Sequence, residues 1–347
     1  MRTELFDYNL PPELIAQTPV PRGRSRLLVL HRAEGRIEHR KFEDLTDYLV
    51  AGDTLVMNNT RVTARRLKGI REGGQSAEIL LTRPVGERSW EALVKPGKSL
   101  KPGRTVQIIS PNPAIPNPVA TVIGTTEEGG RTLEFADTAT RDALATWGET
   151  PLPPYIHTPL ERTEEERYQT IYAKAGGSVA APTAGLHFTT EMIRSVRDMG
   201  IATAEVTLEV GVGTFRPVKT ESVEDHEMHH EAFHLSAEAA ESINRTTGRV
   251  FAVGTTSVRT LETSGAKTAE NSGRRVTPMM GDTNLFITPG YRFRVVDAML
   301  TNFHLPCSTL LMLISAFASR EQIVHAYEVA VQERYRFFSF GDAMLIL

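Results

Sequence analysis

The sequence predicts an α/β protein: a main sheet flanked by helices, open or barrel-like, interrupted by a small all-β insertion. Three observations predict it. Residues 1–61 and 151–347 alternate strand-like apolar runs with segments of helical periodicity. Residues 62–150 change to short β-rich pieces separated by Gly and Pro turns, the pattern of a small barrel or sandwich. The segment Pro151-Leu152-Pro153-Pro154-Tyr155-Ile156 is stiff and extended, which suits a domain junction.

Bulk properties bound the rest. At 347 residues, 40% hydrophobic and 23% charged, the chain has the length of two or three domains and enough apolar mass for a core. One cysteine, Cys307, excludes an intramolecular disulfide. Met1-Arg2-Thr3-Glu4 opens without an apolar signal region, and no run of about 18 apolar residues could cross a bilayer. A soluble cytoplasmic protein is therefore expected. The formal net charge of −3 argues against a generic nucleic-acid binder. Its distribution does not: residues 1–110 carry 19 Lys+Arg against 13 Asp+Glu, leaving 20 against 29 for the remainder. Arg61, Arg65, Arg66 and Lys68 lie in the densest basic run, the footprint either of a phosphate-backbone partner or of an ordinary solvated face.

In order along the main domain, Pro11-Pro12 opens a short helix after an extended arm. Residues 26–31 and 37–42 form a hairpin, 42–49 a short amphipathic helix, and 54–57 a buried strand. Insertion strands fall at 77–81, 90–94, 105–109, 119–123 and 132–135, with a Pro-rich excursion at 110–118. Residues 139–147 make a helix stopped by Gly148, and acids at 164–166 favour another helix start. Thr189 or Thr190 N-caps a helix that Gly200 ends, followed by a strand over 201–210. Ser236 caps a helix ended by Gly248. A strand over 250–253 leads into a helix after Gly254, and strands are expected at 284–287 and 291–296. A buried helix covers 310–317, and Ser319 caps the last long helix.

Two segments invite a chemical reading. Residues 178–188 combine small residues, Thr183 and Gly185 among them, with one titratable group, His187. Gly254-Thr255-Thr256-Ser257 joins a strand to a helix whose first N–H groups could hold a carboxylate or phosphate, or could be a simple capped turn. Four histidines lie in 226–234. His226 and His230 have helical spacing for a metal, but no His-Glu-x-x-His motif is present, and the alternation around Glu231 reads as a strand, so no metal is expected. His304 precedes a helix start. Cys307 reads as a buried bystander. Walker A, Gly-x-Gly-x-x-Gly and Gly-x-Ser-x-Gly signatures are absent. Residue types alone name no reaction.

Longer blocks are more distinctive. Phe6-Asp7-Tyr8, Ser25-Arg26-Leu27-Leu28-Val29-Leu30, Asn59-Thr60-Arg61, 151–156, 178–188, 210–215, 252–261, 301–311 and 335–342 resemble the S-adenosylmethionine:tRNA ribosyltransferase-isomerase family of the queuosine pathway, from end to end. The resemblance implies a barrel-like mixed-sheet α/β domain (1–61 and 151–347) with an inserted small β-barrel (62–150). It implies transfer of the ribosyl part of S-adenosylmethionine to 7-aminomethyl-7-deazaguanine at the wobble position of a tRNA. The ribosyl group is isomerised to give epoxyqueuosine, and adenine and methionine leave. S-adenosylmethionine is then a consumed cosubstrate, with no resident cofactor, and a monomer is implied. The required proton transfers make His187 and His304 the catalytic candidates, with His226 and Glu231 as a further pair. Thr183, Gly185, Glu209, Gly211, Gly213, Thr214, Thr255, Thr256 and Arg259 are candidates for the substrate pocket, Arg259 for the methionine carboxylate. Arg61, Arg65, Arg66 and Lys68 are candidates for RNA phosphates. Glu209 stands where the family pattern Thr-Leu-x-Val-Gly leads one to expect His. A non-catalytic tRNA binder and a methyltransferase are the rival readings. The methyltransferase lacks its usual Gly-rich strand–loop here.

Overall fold

The computed structural model describes the chain except residues 64, 127–128, 159, 212, 214–217, 219 and 270–271. A first hairpin pairs β1 (Arg26–His31) with β2 (Arg36–Lys41). β3 (Thr54–Asn58) and β4 (Thr60–Val62) lead into six strands: β5 (Arg65–Arg71), β6 (Ser76–Pro84), β7 (Ser89–Lys95), β8 (Thr105–Ile108), β9 (Val119–Thr125) and β10 (Arg131–Glu134). These six close an antiparallel barrel in the order β10-β7-β6-β5-β8-β9. Its interior is packed with Leu67, Ile79, Leu81, Val106, Ile108, Val122 and Leu133. Helix α1 (Thr138–Trp147), capped by Asp137, then returns the chain to the barrel's first strand. Gly148 follows, and a Cβ there would lie 2.6 Å from Arg65 Cβ, so only glycine permits that approach.

The remaining elements belong to the main body. They are β11 (Ala175–Ser178), α2 (Thr190–Asp198), β12 (Ala202–Leu208), β13 (Glu231–Leu235), α3 (Ala237–Asn244), β14 (Val250–Val253) and α4 (Thr255–Lys267), then β15 (Met279–Thr283), β16 (Ala298–Asn302), α5 (Thr309–Phe317), α6 (Arg320–Gln332) and β17 (Ala343–Ile346). Nine strands form one mixed sheet, in the order β15-β13-β12-β3-β14-β16-β17-β1-β2. The run β12, β3, β14, β16 is parallel throughout. β4 and β11 pair separately, in parallel.

Period-two alternation builds a core on each face of this sheet. Leu28, Leu30, Val56, Ala252 and Met344 face α3 to α6. Leu27, Val29, Leu55, Val253, Leu300 and Leu345 face Phe42, Phe188 and the buried side of α2. The α/β class with a small closed β-barrel is the predicted one.

Several local readings change. The segments 42–48 and 162–168 are 3-10 turns rather than α-helices. α3 ends at Asn244, before Gly248, which instead packs against Asp53. No strand forms at 284–287 or 291–296; in the second segment the Glu262 carboxylate takes the backbone donors. Arg294, Val295 and Val296 donate to it at 2.9, 3.0 and 3.0 Å, and a ladder has no claim on them. Cys307 is half-buried rather than buried, in a left-handed conformation (φ 53°).

Candidate functional site

β14 and β16 are parallel neighbours, so the turns that leave them emerge on one edge of the sheet. A cleft opens there, at the carboxyl ends of the strands, where open α/β sheets place ligands. One wall is Gly254, Thr255 and Thr256, where β14 turns into α4. Gly254 has φ +83°, a conformation that favours glycine, and its N–H donates to Leu300 O at 2.8 Å. The opposite wall runs from Thr301 to His304, then to Ser308 and Leu310 at the start of α5. Ser308 Oγ accepts from the Leu311 N–H at 3.2 Å and so caps α5. The 3-10 turn Thr183–His187 brings Thr183 and Ala184 to the rim. Neither α4 nor α5 has an acid in its first turn. Two positive helix ends therefore meet this cleft without a carboxylate of their own to offset them.

Of the predicted residues, Thr183, Thr255, Thr256 and His304 come together here. His304 is buried, with Nε2 2.8 Å from Thr301 Oγ1. Its backbone is fixed from both sides: its N–H donates to Tyr327 Oη at 2.9 Å, and its carbonyl accepts from Tyr8 Oη at 2.6 Å. Burial pushes the imidazole pKa down to about 3, so the ring is neutral. No described residue hydrogen-bonds Nδ1.

His187 lies behind this cleft, lining a smaller hollow with Arg22, Arg167 and Phe340. Its Nδ1 is 2.8 Å from Ser25 Oγ, its Nε2 is 3.2 Å from Asn302 Nδ2, and its ring stacks on Phe42. Burial holds its pKa down, to about 4. Gly185 sits in the same turn and touches Tyr172: a Cβ there would lie 2.1 Å from Tyr172 Oη.

The other candidates lie elsewhere. Glu231 and Arg259 form an ion pair with both side chains buried. Glu231 Oε1 also accepts from the Gly211 N–H at 2.9 Å, and Arg259 donates to Leu285 O and Thr283 O. Arg259 is thus committed to the protein interior rather than open to a carboxylate. His226 stands edge-on to Phe286, and β13 begins only at Glu231, so His226 and His230 do not share a helix. Gly213 packs against the His229 ring, where a Cβ would come within 2.2 Å. Glu209 lies against Gly177 near the barrel, its pKa raised by burial and by Asp282 against the lowering effect of Arg83. Thr214 falls outside the described residues.

The basic candidates gather where the barrel meets the main body. Arg61 pairs with Glu166, Arg65 with Glu165 at 3.6 Å, and Arg66 donates to Leu152 O at 2.9 Å. Lys68 is 77% exposed and only loosely associated with Glu149, at 3.8 Å. Asn302, Ser308 and Tyr155 line the cleft but carried no individual signal in the sequence. Asn302 and Ser308 lie inside the 301–311 block, where their neighbour His304 drew the attention.

Comparison with known proteins decides the family. The profile described as "Queuosine biosynthesis protein" matches residues 3–346. The chain belongs to the queuosine biosynthesis protein family. Within that family, a protein of Symbiobacterium thermophilum named S-adenosylmethionine:tRNA ribosyltransferase-isomerase is 54% identical over 353 residues, covering 100% of both chains. A protein of the same name from Carboxydothermus hydrogenoformans is 52% identical, again covering 100% of both. The crystal structure of S-adenosylmethionine tRNA ribosyltransferase from Thermotoga maritima is similar as well, with 39% identity and a TM-score of 0.55. The match covers 99% of this chain and 100% of that one.

Proposed function

We propose that this member of the queuosine biosynthesis family transfers the ribosyl part of S-adenosylmethionine to the aminomethyl group of 7-aminomethyl-7-deazaguanine in a tRNA anticodon. The ribosyl group is isomerised to an epoxycyclopentanediol, and adenine and methionine are released. The observation that carries the reading at atomic level is the cleft at the ends of β14 and β16. It combines a neutral imidazole, several hydroxyls and two uncompensated helix N-termini.

Each part has a task. The positive helix ends suit the methionine carboxylate, a task the internally paired Arg259 is not placed to perform. The positive sulfur acidifies the adjacent 5′ C–H, and the attacking amine must be neutral, so the site needs a proton acceptor. His304 is the imidazole that lines the cleft, and burial delivers it in the neutral, proton-accepting form. If its Nε2–H donates to Thr301 Oγ1, Nδ1 is the free lone pair. S-adenosylmethionine is consumed in this scheme, and no further cofactor or metal is invoked. Lys68, with Arg61, Arg65 and Arg66 around the barrel junction, supplies the phosphate contacts. A monomer acting in the cytoplasm completes the reading.

The test is a product balance. The purified protein is incubated with S-adenosylmethionine and tRNA carrying 7-aminomethyl-7-deazaguanine, and small molecules and nucleosides are followed by mass spectrometry. Adenine, methionine and the modified nucleoside should appear in equal amounts. Release of S-adenosylhomocysteine would instead mean methyl transfer. Intact tRNA binding without turnover would mean a binding protein.

A further inference from the structure

The wall of the cleft holds an acceptor with nothing to accept. Asn302 is 3% exposed and lies on the cleft wall. Its Nδ2 group faces three acceptors: His187 Nε2 at 3.2 Å, Phe338 O at 3.1 Å and Asp342 O at 3.4 Å. A flipped amide would set its oxygen against two carbonyls, so the orientation is determined. The oxygen, Oδ1, is then buried without a hydrogen-bond partner among the described residues. A second such atom, Thr256 Oγ1, belongs to another residue that lines this cleft. Buried polar atoms are nearly always paired, and two orphans on residues that line one cleft call for a ligand.

His187 explains how the amide is held. Because Nε2 accepts from Asn302, the ring is the neutral tautomer that donates from Nδ1 to Ser25 Oγ. Stacking on Phe42 fixes its plane. The chain Ser25, His187, Asn302 therefore runs from the interior to the cleft wall and ends in a carbonyl oxygen. That end group is uncharged. It suits a neutral N–H or O–H donor better than the strongly hydrated ammonium of the methionine part.

We propose that Asn302 recognises a neutral hydrogen-bond donor on the nucleoside part of S-adenosylmethionine, either the adenine amino group or a ribose hydroxyl, and that His187 is the positioning residue that aims it. This rests on the functional reading above. His187 then has no proton to transfer, although its place in the 178–188 block makes it a natural candidate for proton transfer.

Titration calorimetry on the full-length protein tests it. The ligands are S-adenosylmethionine and its hypoxanthine analogue, in which oxygen replaces the amino group. Asn302→Ala should weaken S-adenosylmethionine binding at least tenfold and raise its KM, with the KM for tRNA unchanged. If the amino group is the donor, the analogue binds wild type as weakly as S-adenosylmethionine binds the variant, and the variant loses nothing further. If a hydroxyl is the donor, both ligands lose the same factor on substitution. Should Asn302→Ala not fold, Asn302→Ser keeps a donor toward His187 and removes the amide oxygen. His187→Gln offers Asn302 a carbonyl and Ser25 an N–H, so it should bind within threefold of wild type, where His187→Ala loses tenfold. Asn302→Ala (or Ser) binding within twofold of wild type overturns the recognition role. His187→Gln as weak as His187→Ala overturns the positioning role. Wild type that releases neither adenine nor methionine from the substrate pair overturns the functional reading itself, a different failure from either.

Discussion

Arg259 on α4 and Glu231 at the start of β13 form an ion pair in which the two side chains are 7% and 6% exposed. The pair ties β13, the second strand from the sheet's edge, to the helix whose N-terminus borders the cleft. Removing one partner strands a buried charge, at a cost of about 3–5 kcal/mol, whereas replacing both with apolar residues costs much less. Arg259→Ala should therefore lower the urea midpoint sharply, and Arg259→Met with Glu231→Leu should recover much of it. A fully stable Arg259→Ala with only a raised KM for S-adenosylmethionine would return Arg259 to the substrate.

Glu262 offers a second structural prediction. Its carboxylate accepts three backbone N–H groups from 294–296 and the Tyr291 hydroxyl at 3.2 Å. Hydrogen bonds to a charged acceptor are each worth about 1.5–3 kcal/mol. Glu262→Ala should lose at least about 3 kcal/mol of stability and unprotect the amides of 294–296 in hydrogen exchange. Unchanged protection there would contradict the assignment.

These two carboxylates mark what the sequence could not reveal. Strands β1, β3 and β14 and helix α5 were legible as apolar runs, and α2, α3 and α6 through a Ser or Thr cap before a helical stripe. β17 was not. Ala343-Met344-Leu345-Ile346 is too short to distinguish strand from helix, and its place between β16 and β1 comes from pairing about 40 residues away or more on one side and over 300 on the other. Residues 291–296 looked like a strand because their apolar content alternates, and only the distant Glu262 shows why they are not. The site divides in the same way. His304, Thr183, Thr255 and Thr256 announce themselves locally, as small or titratable residues beside helix starts. The Glu231–Arg259 pair and the orientation of Asn302 are long-range facts.

Gly185 gives a steric prediction. A Cβ there would strike Tyr172 Oη at 2.1 Å and Thr170 Cγ2 at 2.8 Å, so Gly185→Ala must displace the turn that carries Thr183 and His187. Activity and stability should both fall. Tyr172 Oη is buried with no hydrogen-bond partner among the described residues, so Tyr172→Phe alone should be nearly neutral. Combined with Gly185→Ala, it should restore part of the loss. No rescue would place the clash elsewhere.

The histidines predict acid sensitivity. His187 and His304 have folded-state values of about 4 and about 3, both depressed by burial, against about 6.5 in the unfolded chain. Each favours the folded state above pH 6.5, and that contribution is lost as pH falls through the folded values. Between pH 6 and 4 the unfolded state binds more protons. The guanidinium midpoint should drop across this window, and His187→Gln should make the drop shallower by about one proton. A slope identical to wild type would show that His187 does not carry it.

Lys68 should affect RNA binding alone, and Arg66 both RNA binding and folding. Lys68 is exposed, whereas Arg66 bonds to Leu152 O across the junction. Lys68→Ala should leave stability within about 0.5 kcal/mol and reduce the salt slope of tRNA binding by about 1. Arg66→Ala should lower stability. A salt-independent affinity in wild type would contradict the phosphate contacts altogether.

The proposed seat of S-adenosylmethionine is the cleft at the ends of β14 and β16. Leu310 is half-buried on its wall at the start of α5, so Leu310→Trp fills the cleft while keeping an apolar residue in the helix. The decisive measurement is calorimetric titration of S-adenosylmethionine into wild type and Leu310→Trp, with circular dichroism and tRNA binding as controls. The predicted result is binding to wild type and none to the variant, with fold and tRNA affinity unchanged. Equal binding to both would contradict the account and move the site elsewhere in the molecule.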